Sequence, residues 1–232
     1  MNLEDLLGLY KKYKDKYGSH SYKYMSKLLR EAKEIHKKDW LKKPTPGKDH
    51  EQSWKAFKGK NLEKLIIHII KEEVEQLGLK IVRGDTLEKT QPKNLSKELS
   101  TVKRRVCVDF GEYGLHLPDA DIIIYEPEKV EIIAILSSKS TLRERIAETG
   151  YWKIKLLQDS ITKNIRVLFI TPDEDGDLTI KCPAKKSRAI CEIDTDGTYV
   201  MSETDLEESG KVKSFDKFIV DLKSYTKLRS RQ

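Results

Sequence analysis

Two aspartates, Asp119 and Asp121, follow Pro118 at the mouth of an isoleucine-rich run, and the next apolar run, "VEIIAILSS", ends in Lys139. Side chains alternate along a strand, so Asp119 and Asp121 share one face, and Ile133, Ile135, Ser137 and Lys139 share another. If the two runs pair as a hairpin, an aspartate and Lys139 converge. A carboxylate placed there holds a hard divalent cation through oxygen, Mg²⁺ in the first instance with Mn²⁺ as a substitute. An ammonium beside the metal-bound water favours hydroxide, and the cation stabilises charge building on a phosphate oxygen. Four residues past the lysine stand Arg143, Glu144 and Arg145. A guanidinium fork matches guanine O6 and N7, and a carboxylate accepts from the cytosine amino group. The triplet therefore suits adjacent G·C pairs read in a major groove, at about 1–3 kcal/mol of discrimination per contact. Each feature alone is commonplace: Pro-Asp opens many turns, and a strand-end lysine is usually solvated. It is their joint order that points to a site.

The elements that must position these residues are legible in the apolar pattern. Residues 2–16 and 21–40 read as two amphipathic helices, and "KKPTPGKDH" (42–50) as a linker. The first 45 residues then form a helical subdomain or arm, and 46–232 the main domain. A further helix is expected from about Lys60 to Gln76, with Gly78 at its C-terminal cap and Glu63 in its first turn, where a carboxylate suits the helix dipole. His68 falls beside the apolar stripe of that helix and is read as a core residue. "LKIVRG" reads as a strand, and the polar stretch 84–104 as a loop. "RRVCVDF", "ADIIIY", "VEIIAILSS" and "IRVLFIT" read as four strands, the last two separated by a helix over about Thr141–Asp159. Residues 172–212 read as short strands and turns, and Phe215–Leu228 as a closing helix. This order predicts an α/β fold: a mixed central sheet flanked by helices, with an N-terminal helical subdomain.

Composition narrows the classes. Forty-five basic residues against 38 acidic ones leave a net charge of +7, near enough to balance for a folded chain and positive enough to suit a polyanion. Three cysteines with no CxxC spacing read as reduced thiols of a cytoplasmic protein. No apolar run is long enough to span a bilayer, and no leader pattern opens the chain, so no membrane partner is expected. The histidines have no metal spacing, and neither a G-x-S-x-G nucleophile nor a phosphate-binding loop occurs.

"PDADIII" followed by "SSK" resembles the PD-(D/E)XK nuclease core. Serine at position 137, where that core carries an acid, together with "RER" four residues past the lysine, resembles type II restriction endonucleases that cut sites built on CCGG or on CC and GG with a short spacer. "SSKSTLRERIAETGYWK" is most similar to the BsaWI-like members. The matching block is Leu117–Leu156, and "FKGKNLEKLI" resembles the helix that precedes the core, with Glu63 on its glutamate. The resemblance implies that Asp119 is the aspartate of the "PD" pair, with Asp121 a rival on the same face, and that Lys139 is the catalytic lysine. It also implies that the acid lost at Ser137 comes from the following helix, thirteen or fourteen residues past the lysine. Those positions are Trp152 and Lys153 here, so Glu148, one turn earlier, is the substitute, with Glu63 close behind. The implied metal ligands are Asp119, Asp121 and Glu148. The implied base-reading residues are Arg143, Glu144 and Arg145, and Lys103, Arg104 and Ser140 are read as contacts to the DNA backbone. The implied activity is Mg²⁺-dependent cleavage of both strands of double-stranded DNA at a short palindrome. A homodimer follows from the twofold site, and a companion DNA methyltransferase is expected as a separate chain. Two alternatives stay open: a repair or junction-cleaving nuclease on the same core, and a DNA-binding module without catalysis.

Overall fold

Runs of isoleucine, valine and leucine pair into one six-stranded sheet in a computed structural model that describes residues 1–44, 46–47, 49–142 and 145–229. The elements in chain order are α1 (Leu3–Tyr17), α2 (Met25–Lys42), α3 (His50–Gln76), β1 (Lys80–Arg83), α4 (Gly84–Lys89), α5 (Lys97–Val106), β2 (Val108–Asp109), β3 (Leu115–His116), β4 (Ile122–Glu126), β5 (Glu131–Ser138), α6 (Arg145–Leu157), β6 (Arg166–Thr171), α7 (Lys186–Asp194), β7 (Gly197–Val200), β8 (Val212–Ser214) and α8 (Phe218–Arg229). The sheet order is β1-β4-β5-β6-β7-β8. β4 pairs antiparallel with β1 and β5, and the pairs from β5 to β8 are parallel. Helices α6 and α7 make the crossovers that parallel neighbours require.

Two apolar layers sandwich the sheet. Side chains of α1, α2, α3 and α8 pack with Ile122, Ile124, Ala134, Leu136, Leu168 and Ile170 in one continuous cluster. Val102 and Val106 of α5 and Leu156 of α6 pack with Ile123, Ile135 and Val167 on the opposite face. The expected mixed sheet with helices on both faces is therefore observed. The buried residues of α1 and α2, such as Leu6, Met25 and Leu29, lie in the same cluster as α3 and the sheet. Among the described residues no helix is long and apolar enough to cross a membrane.

Several local expectations are corrected. The stretch read as a loop over 84–104 contains α4 and most of α5. Ser96 caps α5 by accepting from the Leu99 N–H at 3.1 Å, and Val102 and Val106, four residues apart, are fully buried. "RRVCVDF" is half helix, and its only strand, β2, pairs with β3 outside the main sheet. α3 begins ten residues earlier than its apolar stripe, because Asp49 caps it by accepting from the Gln52 N–H at 2.7 Å. Helix α7 lies in the region read as strands and turns. Strict alternation fails along the first half of β5. A bulge at Ile124/Tyr125 breaks the β4–β5 register, so Ile133 and Ala134 both pack toward α3 while Ile135 packs toward α5 and α6. His68 is exposed rather than core, and meets the Tyr10 ring edge-on.

Candidate active site

Asp121 immediately precedes β4, and its N–H donates to Leu136 O at 3.0 Å, extending the β4–β5 ladder by one residue. β5 carries the chain to Lys139 at the same end of the hairpin. The Lys139 ammonium donates to both Asp121 carboxylate oxygens at 3.0 Å, and the Ser138 N–H donates to Oδ2 at 2.6 Å. Three charge-assisted contacts thus hold one carboxylate at the end of two buried strands.

β1 builds the next wall. Arg83 is the last residue of the strand and pairs with Ile122. The Gly84 N–H then donates to Asp121 O at 3.0 Å. A Cβ on Gly84 would stand 1.8 Å from Ala120 O, so glycine is required by the close approach of two backbones. The chain turns there into α4. Arg83 spreads its guanidinium between two acids, with Nη2 3.3 Å from Asp85 Oδ1 and Nη1 3.4 Å from Glu63 Oε1.

α3 brings Glu63. Leu62, Leu65 and Ile66 are buried in the cluster beneath the sheet, and Glu63, one residue on from Leu62, is left with its side chain 15 % exposed. Burial raises the Glu63 pKa above its ordinary value. The negative charges of Asp121 and Asp85 add to the rise, and Arg83 and Lys139 oppose it. Three carboxylates, Glu63, Asp85 and Asp121, therefore share one electrostatic neighbourhood with Arg83 and Lys139, and Lys89 also meets Asp85 at 3.3 Å.

Ser138 lies on the face that Ala134 and Leu136 turn toward α3, and its buried hydroxyl has no hydrogen-bond partner. An unsatisfied buried hydroxyl is costly unless something fills the role, and a hydrated ion beside Asp121 would do so. The oxygens of Glu63, Asp85, Asp121 and Ser138 are hard donors, the type that a divalent cation such as Mg²⁺ or Mn²⁺ takes. Among the described residues no three acid, histidine or cysteine side chains are drawn close enough together to hold an ion. The carboxylates are held by cations instead.

The other expected site residues are placed as follows. Asp119 is exposed, in a turn where the Ala120 N–H donates to Pro118 O at 2.8 Å. Glu148 is in the first turn of α6 with its side chain exposed. Trp152 packs into the apolar cluster of that face, and Lys153 pairs with Asp196 at 2.5 Å. Lys103 donates to Leu87 O at 2.6 Å, tying α5 to α4. Arg104 lines a groove with Lys129 and Glu131 at the start of β5, the end of that strand away from Lys139. Ser140 follows Lys139 directly, and its carbonyl accepts from the Glu174 N–H at 3.0 Å. Arg143 and Glu144 lie outside the described residues. Arg145 opens α6, and its side chain is likewise not described. Sequence reasoning missed Arg83, Asp85 and Ser138. The signal for the first two was "RGD" at a strand-to-helix junction, which reading 84–104 as a loop concealed.

The match to known proteins is consistent with this geometry. The family model described as BsaWI restriction endonuclease type 2 matches residues 98–221, more than half of the chain. A Methanocaldococcus jannaschii protein assigned as type II restriction enzyme MjaVIP is 41 % identical over 176 residues, which is 74 % of this chain and 76 % of that protein. A Helicobacter pylori protein assigned as type II restriction enzyme HpyAORF263P is 41 % identical over 132 residues, 56 % of this chain and 65 % of that one. The crystal structure of the restriction endonuclease AgeI in complex with DNA superposes with a TM-score of 0.53, covering 94 % of this chain and 91 % of that chain at 14 % identity. At that identity the likeness is one of fold.

Proposed function

The chain belongs to the BsaWI family of type II restriction endonucleases, and from that premise we propose that it hydrolyses both strands of double-stranded DNA at a short palindrome containing C·G pairs, with Mg²⁺ as its cofactor. The observation that carries the reading is the Asp121 carboxylate gripped by Lys139 and the Ser138 N–H at the sheet end.

Asp121 and Glu63 are the proposed oxygen ligands, and Asp121 rather than the exposed Asp119 is the aspartate of the site. A bound divalent cation supplies Lewis acidity and a nucleophilic water at neutral pH. Lys139, once it releases an Asp121 oxygen, would favour the deprotonated form of a nearby water by its positive charge and would donate to the phosphate oxygen on which charge builds. Glu148 remains the candidate for a further acid from the crossover helix. Arg143, Glu144 and Arg145, which begin four residues past Lys139 in the sequence, are proposed to read G·C pairs. A twofold site calls for a homodimer, and the exposed Tyr151 and Ile154 of α6 are apolar surface that a second copy could cover. We read α1 and α2 (1–45) as an accessory layer on the nuclease domain 46–232, and place the protein in the cytoplasm with a separate methyltransferase.

The test is cleavage of a long DNA of known sequence, with Mg²⁺ or with EDTA, beside Lys139→Ala. Discrete Mg²⁺-dependent fragments that the variant does not yield are expected, and their ends give the site. A smear would sink the specificity claim. Intact DNA with Mg²⁺ and with Mn²⁺ would sink catalysis by these residues.

A further inference from the structure

Arg83 contacts two carboxylates and commits to neither. Its two nitrogens each make one long contact, 3.4 Å to Glu63 and 3.3 Å to Asp85, whereas Lys139 meets both Asp121 oxygens at 3.0 Å. A guanidinium committed to an acid forms two parallel short bonds to it. The Arg83 side chain is 34 % exposed, so it has an open path to solvent. Its backbone has no such freedom, because β1 pairs Arg83 with Ile122 and the next residue is bonded to Asp121 O.

Charge makes the arrangement informative. Glu63, Asp85 and Asp121 carry three negative charges, and Arg83, Lys139 and Lys89, which meets Asp85 at 3.3 Å, carry three positive ones, leaving none. A divalent ion added with all three cations in place would give +2, with Arg83 still against Glu63. Like charges that close repel, and more strongly where the surroundings are half-buried. Asp121 and Glu63 would gain the ion only as the resident cations let go. Lys139 is held short and Lys89 touches Asp85 alone, so Arg83 is the cation that both meets Glu63 and has loose contacts and an exit.

We propose that Arg83 is a resident counter-ion that occupies Glu63 and Asp85 in the metal-free protein, and that the divalent ion must displace it. This rests on the metal site proposed above. It assigns Arg83 a function that opposes loading. A residue that merely orients Glu63 would help loading, so the two roles predict opposite signs.

The experiment is Mn²⁺ binding to the full-length, DNA-free protein, read by electron paramagnetic resonance of the free ion, for the wild type, Arg83→Gln and Arg83→Lys. The expected result is binding several-fold tighter in Arg83→Gln than in the wild type, with Arg83→Lys, which keeps the charge, between the two. The Mn²⁺-free Arg83→Gln protein is expected to melt lower than the wild type and to be raised more by saturating Mn²⁺. Binding that is unchanged in Arg83→Gln, or weakened by the 10- to 100-fold typical of losing an orienting partner, overturns the proposal and leaves the metal site standing. If Arg83→Gln does not fold, Arg83→Lys decides: affinity equal to or below wild type counts against displacement. If neither the wild type nor any variant binds Mn²⁺, and Asp121→Asn behaves identically, the metal site itself falls and the proposal with it.

Discussion

Lys139 Nζ lies 3.0 Å from each carboxylate oxygen of Asp121, although eighteen residues separate the two in the chain. The β4–β5 hairpin brings them together, because Asp121 precedes one strand and Lys139 follows the other at the same end of the ladder. Asp119, the aspartate of the "PD" pair, is two residues further out and exposed.

The first prediction separates the two aspartates. Asp121→Asn and Lys139→Ala should each lower the cleavage rate in Mg²⁺ by about 10²–10³, the scale of losing one preorganised group that stabilises developing charge. Asp119→Asn should stay within a few-fold of the wild type. Initial rates on a plasmid with a single site measure all three. The reverse ranking of the aspartates would return Asp119 to the site.

Glu63, a proposed ligand, is predicted to cost stability in its ionised form. Its raised pKa means that the folded protein disfavours the ionised carboxyl. The stability it lends is present below its ordinary value of 4.5 and is lost as pH rises through the higher folded value. At pH 7 Glu63→Gln should therefore melt no lower than the wild type without metal, and cleave far more slowly. Thermal melts between pH 4 and pH 7 check the sign, since the advantage of the variant should grow with pH across that range.

Gly84→Ala tests the corner that joins β1 to the site. The added methyl would meet the Ala120 carbonyl oxygen at 1.8 Å, and backbone cannot step aside as a flexible side chain can. A destabilisation of about 1–3 kcal/mol or more is expected from overpacking, measured by urea unfolding. The same shift should displace Asp121 and lower cleavage. Wild-type stability and activity in this variant would contradict the close approach.

His36 and His50 lie far from the proposed chemistry but should leave a mark on stability. Their rings meet at 3.3 Å between Nδ1 and Nε2, packed with Trp54 and Phe57. Burial, then the charge of His50 and of the chain's amino terminus, lowers the His36 pKa below its ordinary 6.5, and Asp39 opposes them. A depressed folded value means that the contribution is whole above pH 6.5 and is lost as pH falls toward the folded pKa. Melting temperature should fall between pH 7 and pH 5, and His36→Gln should flatten that fall. An unaltered slope in the variant would assign it to other groups.

Helix and strand runs were legible because burial imposes periodicity, so α1, α2, β4, β5 and β6 could be placed from their apolar residues alone. α4 and α5 were not, because their surfaces are lysine-rich and their apolar contacts few; Leu87, Val102 and Val106 show as core only once the sheet stands behind them. The bulge that leaves Ile133 of β5 unpaired was equally invisible, since it falls within a run of apolar residues that suit either face.

The residue sequence by itself determined the chemistry on offer: an acid at the mouth of one buried run, a lysine at the end of the next and a basic-acidic-basic triplet after it, all within one local stretch of chain. Only the tertiary structure decided which acids meet. Strand register sets Asp121, not Asp119, against Lys139, and packing between distant segments brings Glu63 of α3, Arg83 of β1 and Asp85 of α4 beside them. Register and packing depend on contacts across the whole sheet, and those contacts carry no local signal in the chain that makes them.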